Sequence, residues 1–254
     1  FAIQILDMFT FFQKKVYLAD YMHGLVDIHN HILPGIDDGA KKVEDSIALI
    51  NGFSELGVKS FICTPHIMNN HYDNTPTTIK KAYTLLSNEL EKRGLTGTSL
   101  DIAAEHMIDD NFENILLEKQ IMPLHKEYLL VEMSFLQPSF NFEMAIEEVA
   151  RQQYFPILAH PERYMYYHQK YGKYPSMKSN GILFQLNLLS LAPESYGSNI
   201  TKMAEKLLLD GFIDFVGSDV HNIRQLALLK EVKLSSKVLN KLLPVMERTI
   251  QTFY

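Results

Sequence analysis

Two histidines one residue apart, His29 and His31, are the side chains of this sequence with the clearest capacity for chemistry. The surrounding run, Leu25 to Ile32, is rich in apolar and β-branched residues and predicts a strand. Because side chains alternate along a strand, both imidazoles are expected on the same side. The turn that follows carries Asp37 and Asp38, and imidazole with carboxylate suits zinc, iron or manganese. This segment therefore predicts part of a metal site.

The elements that must position such a site alternate as strand and helix, which is typical of a parallel α/β fold. Seven strands are predicted, at about residues 25–32, 58–64, 100–104, 127–133, 155–159, 182–188 and 214–217. Helices are predicted at about 43–56, 76–93, 142–153, 200–209, 224–231 and 235–253. Seven such units favour a barrel or a strongly curved sheet, with functional groups at the carboxyl ends of the strands.

Six of the seven predicted strands end in side chains that can bind metal. Glu132 is the hardest to explain otherwise, because it ends an apolar run and burying a bare charge is costly. His66, taken alone, is explained equally well as a turn residue after Pro65. The full set of candidate ligands is His29, His31, Asp38 (with Asp37 as its alternative), His66, Glu105, Glu132, His160, Asp219 and His221.

Nine ligands exceed the roughly four to six that one ion takes, so they predict a cluster of two or three ions. Three divalent ions bring about +6 against about −4 from the carboxylates, which favours an anionic substrate such as a phosphate ester. Arg163 is the best candidate for a phosphate clamp because its planar fork matches phosphate oxygens. The alternative for Arg163 is a surface ion pair with Glu162. Arg224 is a weaker second clamp, and a solvated helix residue explains it equally well.

Size and composition set limits on the remaining function classes. The 254 residues, 46% of them hydrophobic, fit one domain with a full core. A single cysteine excludes an internal disulfide framework and fits a reducing cytosol. The net charge of −6, with no basic stripe, argues against nucleic acid as a partner. No apolar run reaches the ~18 residues that span a bilayer.

The first 22 residues are predicted to form an arm outside the core, followed by a single domain from residue 23 to 254. The stretch from Phe1 to Phe12 is apolar, but it lacks the basic region of a signal peptide. Met8 fits a natural start, which would make residues 1–7 a remnant of cloning.

Two other routes to phosphoryl chemistry lack their residues in this sequence. A cysteine phosphatase needs a thiolate and an arginine in one phosphate-binding loop, but position 69, where that arginine would stand after Cys63, is Asn. Cys63 is therefore predicted to be a buried core thiol. No Gly-rich nucleotide loop of the Walker or dinucleotide type is present. Phosphoryl chemistry in this chain would have to be driven by metal.

As a set, the motifs resemble those of the polymerase-and-histidinol-phosphatase (PHP) superfamily. More narrowly, the chain resembles the bacterial PHP-type protein-tyrosine phosphatases of capsule and exopolysaccharide operons, the CpsB/YwqE-like group. The segments that carry the resemblance, in the family's order, are Asp27 to His31, Asp37 to Gly39, Thr64 to His66, Ala103 to Glu105, Val131 to Ser134, Ala159 to Tyr164 and Gly217 to Asn222.

The resemblance implies a distorted (β/α)7 barrel, similar to a TIM barrel, and a three-metal site that usually holds manganese, with iron or zinc as alternatives. It implies one ion on His29, His31, Glu105 and Asp219, a second on Glu105, Glu132 and His160, and a third on Asp38, His66 and His221. Arg163 occupies the position that grips phosphate. The family's other arginine follows the final histidine by five residues, where this chain has Leu226, and Arg224 stands two residues earlier.

The function expected from the resemblance is hydrolysis of phosphotyrosine on proteins by a metal-bridging hydroxide. The implied substrate is the tyrosine-rich tail of a polysaccharide-assembly kinase, and the implied location is the cytoplasm. An oligomer is compatible with the sequence. Three alternatives remain open: a PHP phosphatase for a metabolite such as histidinol phosphate, an amidohydrolase, and a catalytically silent PHP module that binds metal and a partner.

Overall fold

The structure, a computed structural model, describes residues 15–125 and 127–254. Its strands run mostly parallel and are short. They are β1 (Val16–Tyr17), β2 (Val26–Asp27), β3 (Ser60–Cys63), β4 (His66–Ile67), β5 (Ser99–Ile102), β6 (Glu105–Met107), β7 (Tyr128–Glu132), β8 (Phe155–Ala159), β9 (Leu183–Asn187), β10 (Phe215–Gly217) and β11 (Lys233–Leu234).

Nine of these strands form two parallel sheets, in the orders β10-β9-β8-β7-β6-β4 and β2-β3-β5. The pairs β3/β4 and β5/β6 each continue one another after a two-residue break, so the two sheets share these positions. A parallel bridge between Asn30 and Val220 joins the first strand to the last. The Asp219 N–H also donates to the His29 carbonyl at 2.7 Å. The expected distorted (β/α)7 barrel is confirmed.

The described residues form ten α-helices, several of which pack apolar faces onto the strands. No helix in this part of the chain combines the length and apolarity needed to cross a membrane. The helices are α1 (Val43–Ser54), α2 (Pro76–Lys92), α3 (Phe112–Leu117), α4 (Phe142–Arg151), α5 (Met165–His168), α6 (Lys173–Ser179), α7 (Pro193–Tyr196), α8 (Ser198–Leu209), α9 (Ile223–Lys230) and α10 (Ser236–Phe253).

Strand alternation explains how an acidic residue comes to point into the barrel. On β7, Leu129 and Val131 belong to the large core cluster shared with the helices, whereas Leu130 belongs to a smaller cluster between the strands. Glu132 is two residues beyond Leu130 and therefore faces the same side. The alternation of apolar residues along β7 thus directs the Glu132 side chain, at the end of the strand, into the barrel.

The predicted elements agree with the structure in place and order, and differ at their ends. The first strand is shorter than predicted, because the chain leaves regular pairing after Asp27. The strands predicted at 58–64 and 100–104 end earlier, and each resumes after a break as β4 or β6. Four short helices, α3, α5, α6 and α7, were not predicted. Each has only four to seven residues, too few to show a clear apolar period.

The N-terminal segment differs from its prediction. Within residues 15–22, β1 pairs antiparallel with β11, and Leu18 and Met22 are fully buried. The predicted arm outside the core is therefore wrong for residues 15–22, because their apolar side chains have a place to pack beside the C-terminal strand. The predictions made for residues 1–7 and Met8 lie outside the described residues.

Candidate metal centre

All nine candidate ligands meet at the carboxyl end of the barrel. His29, His31, His160, Asp219 and His221 follow strand ends, and Glu132 is the last residue of β7. The two strand breaks also contribute, because β4 begins at His66 and β6 begins at Glu105 directly after them. The remaining candidate, Asp38, lies on the turn that the sequence places beside the histidine pair.

The ligand atoms fall into overlapping groups in which every atom lies within 4.8 Å of the others. The groups are His31, Asp38, His66 and His221; His29, His160 and Asp219; His29, His31 and Glu105; and His66, Glu105 and Glu132. Glu105 belongs to two groups, as a bridging carboxylate would. His160 is grouped with His29 and Asp219, and Glu132 with His66, so the division of ligands among individual ions stays a prediction.

The donor atoms fit a metal cluster because several are buried and make no hydrogen bond to any described residue. These atoms are His29 Nε2, His31 Nε2, His66 Nδ1, Glu105 Oε2, Glu132 Oε1 and His160 Nδ1. Some approach closely, such as His29 Nε2 at 3.1 Å from Glu105 Oε2. Buried polar atoms are nearly always satisfied in native proteins, so a cluster of unsatisfied lone pairs indicates that a cation belongs among them.

The electrostatics of the cluster point the same way. Burial opposes ionisation of Glu105, but attraction to His29 and His66 outweighs it and holds the Glu105 pKa well below its usual range. Burial likewise opposes ionisation of Asp219, yet His29 and His221 hold its pKa well below normal. Burial lowers the pKa of His66, but Glu132 and Glu105 raise it to about 9. Without ions, protons on histidines with raised pKa values, such as His31 and His66, offset the negative charge of the carboxylates, and metal binding must displace these protons.

The backbone at two of the ligands adopts the left-handed conformation. His160 has φ 36° and Asp219 has φ 54°, and neither residue is glycine. This region is uncommon for residues with a Cβ, and such conformations concentrate at functional sites. Each residue lies directly beyond or near a strand end, where the chain must bend to bring its side chain over the barrel mouth.

Two aspartates that were not predicted as primary ligands have clear partners. Asp37 Oδ2 lies 2.8 Å from His31 Nδ1, so Asp37 orients that imidazole and leaves Asp38 nearer to His66 and His221. Asp27 accepts from both the backbone N–H and the hydroxyl of Ser218, at 2.8 and 2.6 Å. Asp27 therefore fastens the first barrel strand to the segment that carries Asp219.

Arg163 lies at the wall of the cavity above the ligands. Its Nη1 donates to Asp219 Oδ2 at 2.8 Å, and its guanidinium carbon lies 4.3 Å from the ring centroids of both Phe135 and Tyr196. The cavity measures about 250 Å³ and is lined by Arg163, both aromatic rings, Asn222, Gln225 and seven of the candidate ligands. The alternative of a surface pair with Glu162 is wrong, since Glu162 is buried and accepts from the Asn187 N–H.

Arg224 does not join this site. Its side chain is exposed on α9 and is absent from the described residues that line the cavity. Leu226, at the position of the family's second arginine, is fully buried, and a Cβ built on Gly52 would come within 2.6 Å of it. The prediction of Arg224 as a second clamp is therefore not supported by the geometry, and the solvated helix residue is the better description.

Two nearby side chains have structural explanations. Cys63 is fully buried, and burial raises the pKa of its thiol far above the usual value, so it is no thiolate nucleophile. His106 is also buried. Its Nδ1 donates to the Leu130 carbonyl at 3.0 Å, and its Nε2 accepts from the Met122 N–H at 3.1 Å. His106 thus joins neighbouring segments and faces away from the ligands.

The sequence analysis missed four residues of the site. Phe135 and Tyr196 form the walls around Arg163, and Gln185 and Asn187 of β9 contact two of the candidate ligands. A signal existed only for the last two, since two amides in an apolar strand require buried partners.

Comparisons with known proteins agree with this arrangement. The sequence model of the family "Capsular polysaccharide synthesis, CpsB/CapC" matches residues 25–240. The chain is 30% identical over 200 residues to the putative tyrosine-protein phosphatase CapC of Staphylococcus aureus, covering 78% of both chains. It is 30% identical over 201 residues to the tyrosine-protein phosphatase YwqE of Bacillus subtilis, covering 79% of this chain and 78% of YwqE.

The fold is also similar to one of known structure. Crystal structures of YwqE from Bacillus subtilis and CpsB from Streptococcus pneumoniae describe unique metal-dependent tyrosine phosphatases. The match to these has a TM-score of 0.77 and 26% sequence identity, and it covers 91% of this chain and 96% of the other.

Proposed function

Since the chain belongs to the CpsB/CapC family of capsular polysaccharide synthesis, we propose that it is a metal-dependent tyrosine-protein phosphatase. One observation carries the proposal beyond family membership: the Arg163 guanidinium and seven of the nine clustered candidate ligands line one cavity. A set of metal ligands is compatible with many reactions. A guanidinium group beside the ligands favours a phosphoryl substrate, because its N–H groups match the phosphate oxygens.

The nine candidate ligands would hold two or three divalent ions, most simply manganese. Ions in such a site activate water at neutral pH and neutralise phosphoryl charge. Seven of the nine residues are almost fully buried and His221 is half-buried. The surrounding packing therefore keeps the donor atoms of these imidazoles and carboxylates in place. Asp38 is the most exposed member, with 47% of its side chain accessible, so it lies on the side from which a substrate enters.

Arg163 would bind the phosphoryl oxygens through the part of its fork that does not contact Asp219. Two aromatic rings, each with its centroid 4.3 Å from the guanidinium carbon, hold the group at the cavity wall, where its other N–H groups can donate to an anion. Phe135 remains 44% exposed at the cavity, where its outer surface can contact the phenyl ring of the leaving group. This arrangement supports an in-line attack in which Arg163 would stabilise the developing negative charge.

The physiological substrate that best fits the family is the tyrosine-rich tail of a membrane-bound bacterial tyrosine kinase of polysaccharide assembly, which this chain would reach in the cytoplasm. A tail of this kind is flexible, so it can deliver a phosphotyrosine to a mouth at the end of a barrel. The aromatic wall of the cavity supports an aryl ester, and the acidic chain, with its net charge of −6, makes nucleic acid a poor partner.

The test combines metal content with turnover. Elemental analysis should find two or three manganese, iron or zinc ions per chain, and a phosphotyrosine peptide should be hydrolysed in a manner abolished by chelator and restored by Mn²⁺. His29→Ala and Asp219→Ala should abolish that hydrolysis. Faster turnover of histidinol phosphate than of the peptide would indicate a metabolite phosphatase. A protein with no bound ion and no turnover would indicate a silent binding module.

A further inference from the structure

Strand β9 is the one predicted barrel strand that offers no metal ligand, yet its inner face carries two fully buried amides. Gln185 and Asn187 alternate with apolar residues and point to the same side. Gln185 Oε1 lies 2.7 Å from His29 Nδ1, Gln185 Nε2 donates to Asn187 Oδ1 at 3.0 Å, and Asn187 Nδ2 donates to Asp219 Oδ2 at 2.5 Å. A continuous hydrogen-bonded chain therefore joins two candidate ligands across the barrel.

The direction of this chain is fixed from one end. Asp219 Oδ2 accepts from Arg163 Nη1, and a carboxylate that binds metal can only accept, so Asn187 must present its Nδ2 group to it. The Asn187 oxygen then faces Gln185, which must present Nε2. The Gln185 oxygen is left facing His29, whose Nδ1 must carry the hydrogen. A metal-binding imidazole is neutral, so with its hydrogen on Nδ1 it binds through Nε2, the nitrogen that points at Glu105 and Asp219 without a hydrogen-bond partner among the described residues.

At the Asp219 end of this hydrogen-bonded network, the two carboxylate oxygens have different partners. Its Oδ2 accepts from Asn187 and from Arg163 Nη1. Its Oδ1 is left near His29 Nε2 and His31 Nε2, at 3.4 and 3.3 Å. Asn187 therefore turns one oxygen of Asp219 towards the ligand cluster and shares the other with the candidate phosphate clamp.

The packing around Gln185 leaves the hydrogen-bonded network little freedom to rearrange. A Cβ at Gly217 of the neighbouring strand would come within 3.1 Å of Gln185 Nε2 and within 2.6 Å of His29 Cβ. Because Gly217 has no side chain, β10 can lie close to Gln185 and His29 while these two side chains stay in contact. An amide flip of Gln185 would set its oxygen against the oxygen of Asn187, so the neighbours oppose it.

We propose that Gln185 and Asn187 are positioning residues of the metal centre, which set the ligating tautomer of His29 and the orientation of Asp219. The inference rests on the proposed metal-binding function. Polar partners of ligating histidines of this kind typically account for about 10- to 100-fold in metal affinity.

The first experiment measures Zn²⁺ affinity of the full chain by competition with a chromophoric chelator. Gln185→Met keeps the length of the side chain but neither accepts from His29 nor donates to Asn187, and we expect about 10- to 100-fold weaker binding. Gln185→Glu restores an acceptor for His29 Nδ1 but no donor for Asn187 Oδ1, so it should recover part of that loss. The matched control is Thr249→Val, which removes a buried hydroxyl that accepts from the Val216 N–H of β10, donates to the Val245 carbonyl and makes no hydrogen bond to a candidate ligand.

The second experiment reads the tautomer directly. In the Zn²⁺-loaded wild-type protein, ¹⁵N shifts of the His29 ring should show a protonated Nδ1 and a metal-bound Nε2. This measurement needs no variant and remains decisive if Gln185→Met does not fold, which circular dichroism would show.

Weaker binding in Gln185→Met, recovery in Gln185→Glu and wild-type affinity in Thr249→Val support the proposal. Wild-type affinity in Gln185→Met, or a His29 ring protonated at Nε2, overturns it while leaving the proposed function intact. A wild-type chain that binds no Zn²⁺ or Mn²⁺ overturns the metal centre itself, and the two failures are thereby distinguished.

Discussion

Arg163 and Asp219 form an ion pair at the mouth of the barrel, with Nη1 2.8 Å from Oδ2, so the candidate phosphate clamp is bonded to a candidate metal ligand. The pair is mostly buried, with 19% of the arginine side chain and 2% of the aspartate side chain exposed. The rings of Phe135 and Tyr196 each have their centroid 4.3 Å from the guanidinium carbon. These contacts hold the arginine side chain in position before any substrate arrives.

Replacing Arg163 should reduce turnover far more than it reduces metal binding. We expect Arg163→Ala to lower kcat/KM for a phosphotyrosine peptide by about 10²- to 10³-fold, as for loss of one preorganised donor to a developing negative charge. Arg163→Lys should recover only part of this, because it keeps the charge but not the planar fork. The control is Arg224→Ala, which removes an exposed arginine three residues after His221. Equal losses in Arg163→Ala and Arg224→Ala would contradict the assignment.

Removing the Phe135 ring should weaken substrate binding selectively. Phe135→Leu keeps apolar bulk but loses the stacking on Arg163, which is worth about 0.5–2 kcal/mol. We expect KM for a phosphotyrosine peptide to rise by about 2- to 30-fold, while the metal content stays constant. Steady-state kinetics against phosphotyrosine and phosphoserine peptides would measure the effect. An unchanged KM would show that the ring holds neither the guanidinium nor the substrate.

The cysteine should be dispensable for chemistry. Cys63 is fully buried and its thiol pKa is raised by burial, so Cys63→Ala should leave kcat within the range of the wild type. The substitution should instead lower the free energy of unfolding, because it leaves a small cavity in the core. Turnover before and after alkylation with iodoacetamide, with thermal unfolding alongside, separates the two effects. A Cys63→Ala protein that folds and holds metal but does not turn over would reopen the cysteine mechanism.

His106 should make the metal-free protein less stable in mild acid. Burial lowers the pKa of His106 to about 4, from 6.5 in the unfolded chain, so the unfolded state binds more protons between these values. Its contribution is fully present above pH 6.5 and is lost as the pH falls towards 4. At about 1.4 kcal/mol per pKa unit, the loss amounts to about 3 kcal/mol.

The measurement is the free energy of urea unfolding at several pH values between 4 and 7, in wild type and in His106→Gln. Glutamine can donate to the Leu130 carbonyl and accept from the Met122 N–H, as His106 does, without titrating. We expect the variant to show a shallower decline towards acid. Identical slopes in the two proteins would show that His106 is not buried as a neutral imidazole.

The fold and the ligand cluster were predictable because both depend on local pattern. Strand-sized apolar runs place Glu132 and His160 at the same edge of the barrel whatever the details of the loops. Arg224 could not be judged in this way. On α9, Leu226 faces the core, and a residue two positions earlier points to the opposite side of the helix. A two-residue offset that looks small in sequence therefore directs the arginine into solvent.

The residues that were missed depend on contacts between distant segments. Asn187 meets Asp219 from another strand, and Phe135 meets Arg163 across 28 positions, so no local pattern identifies either partner. The N-terminal segment was mispredicted for the same reason, because Val16 pairs with Leu234 at the far end of the chain.

The hydrogen bonds between Asp27 and Ser218 indicate at what stage of folding the candidate metal centre is completed. The two residues are 191 positions apart, so they meet only when the last barrel strand docks on the first. Contacts of such long range form late in folding, because the loop entropy must be paid before they can form. A nascent or truncated chain that stops short of β10 carries the histidine pair but lacks Asp219 and His221. An ion bound tightly by all the ligands would thus mark a barrel that has finished folding.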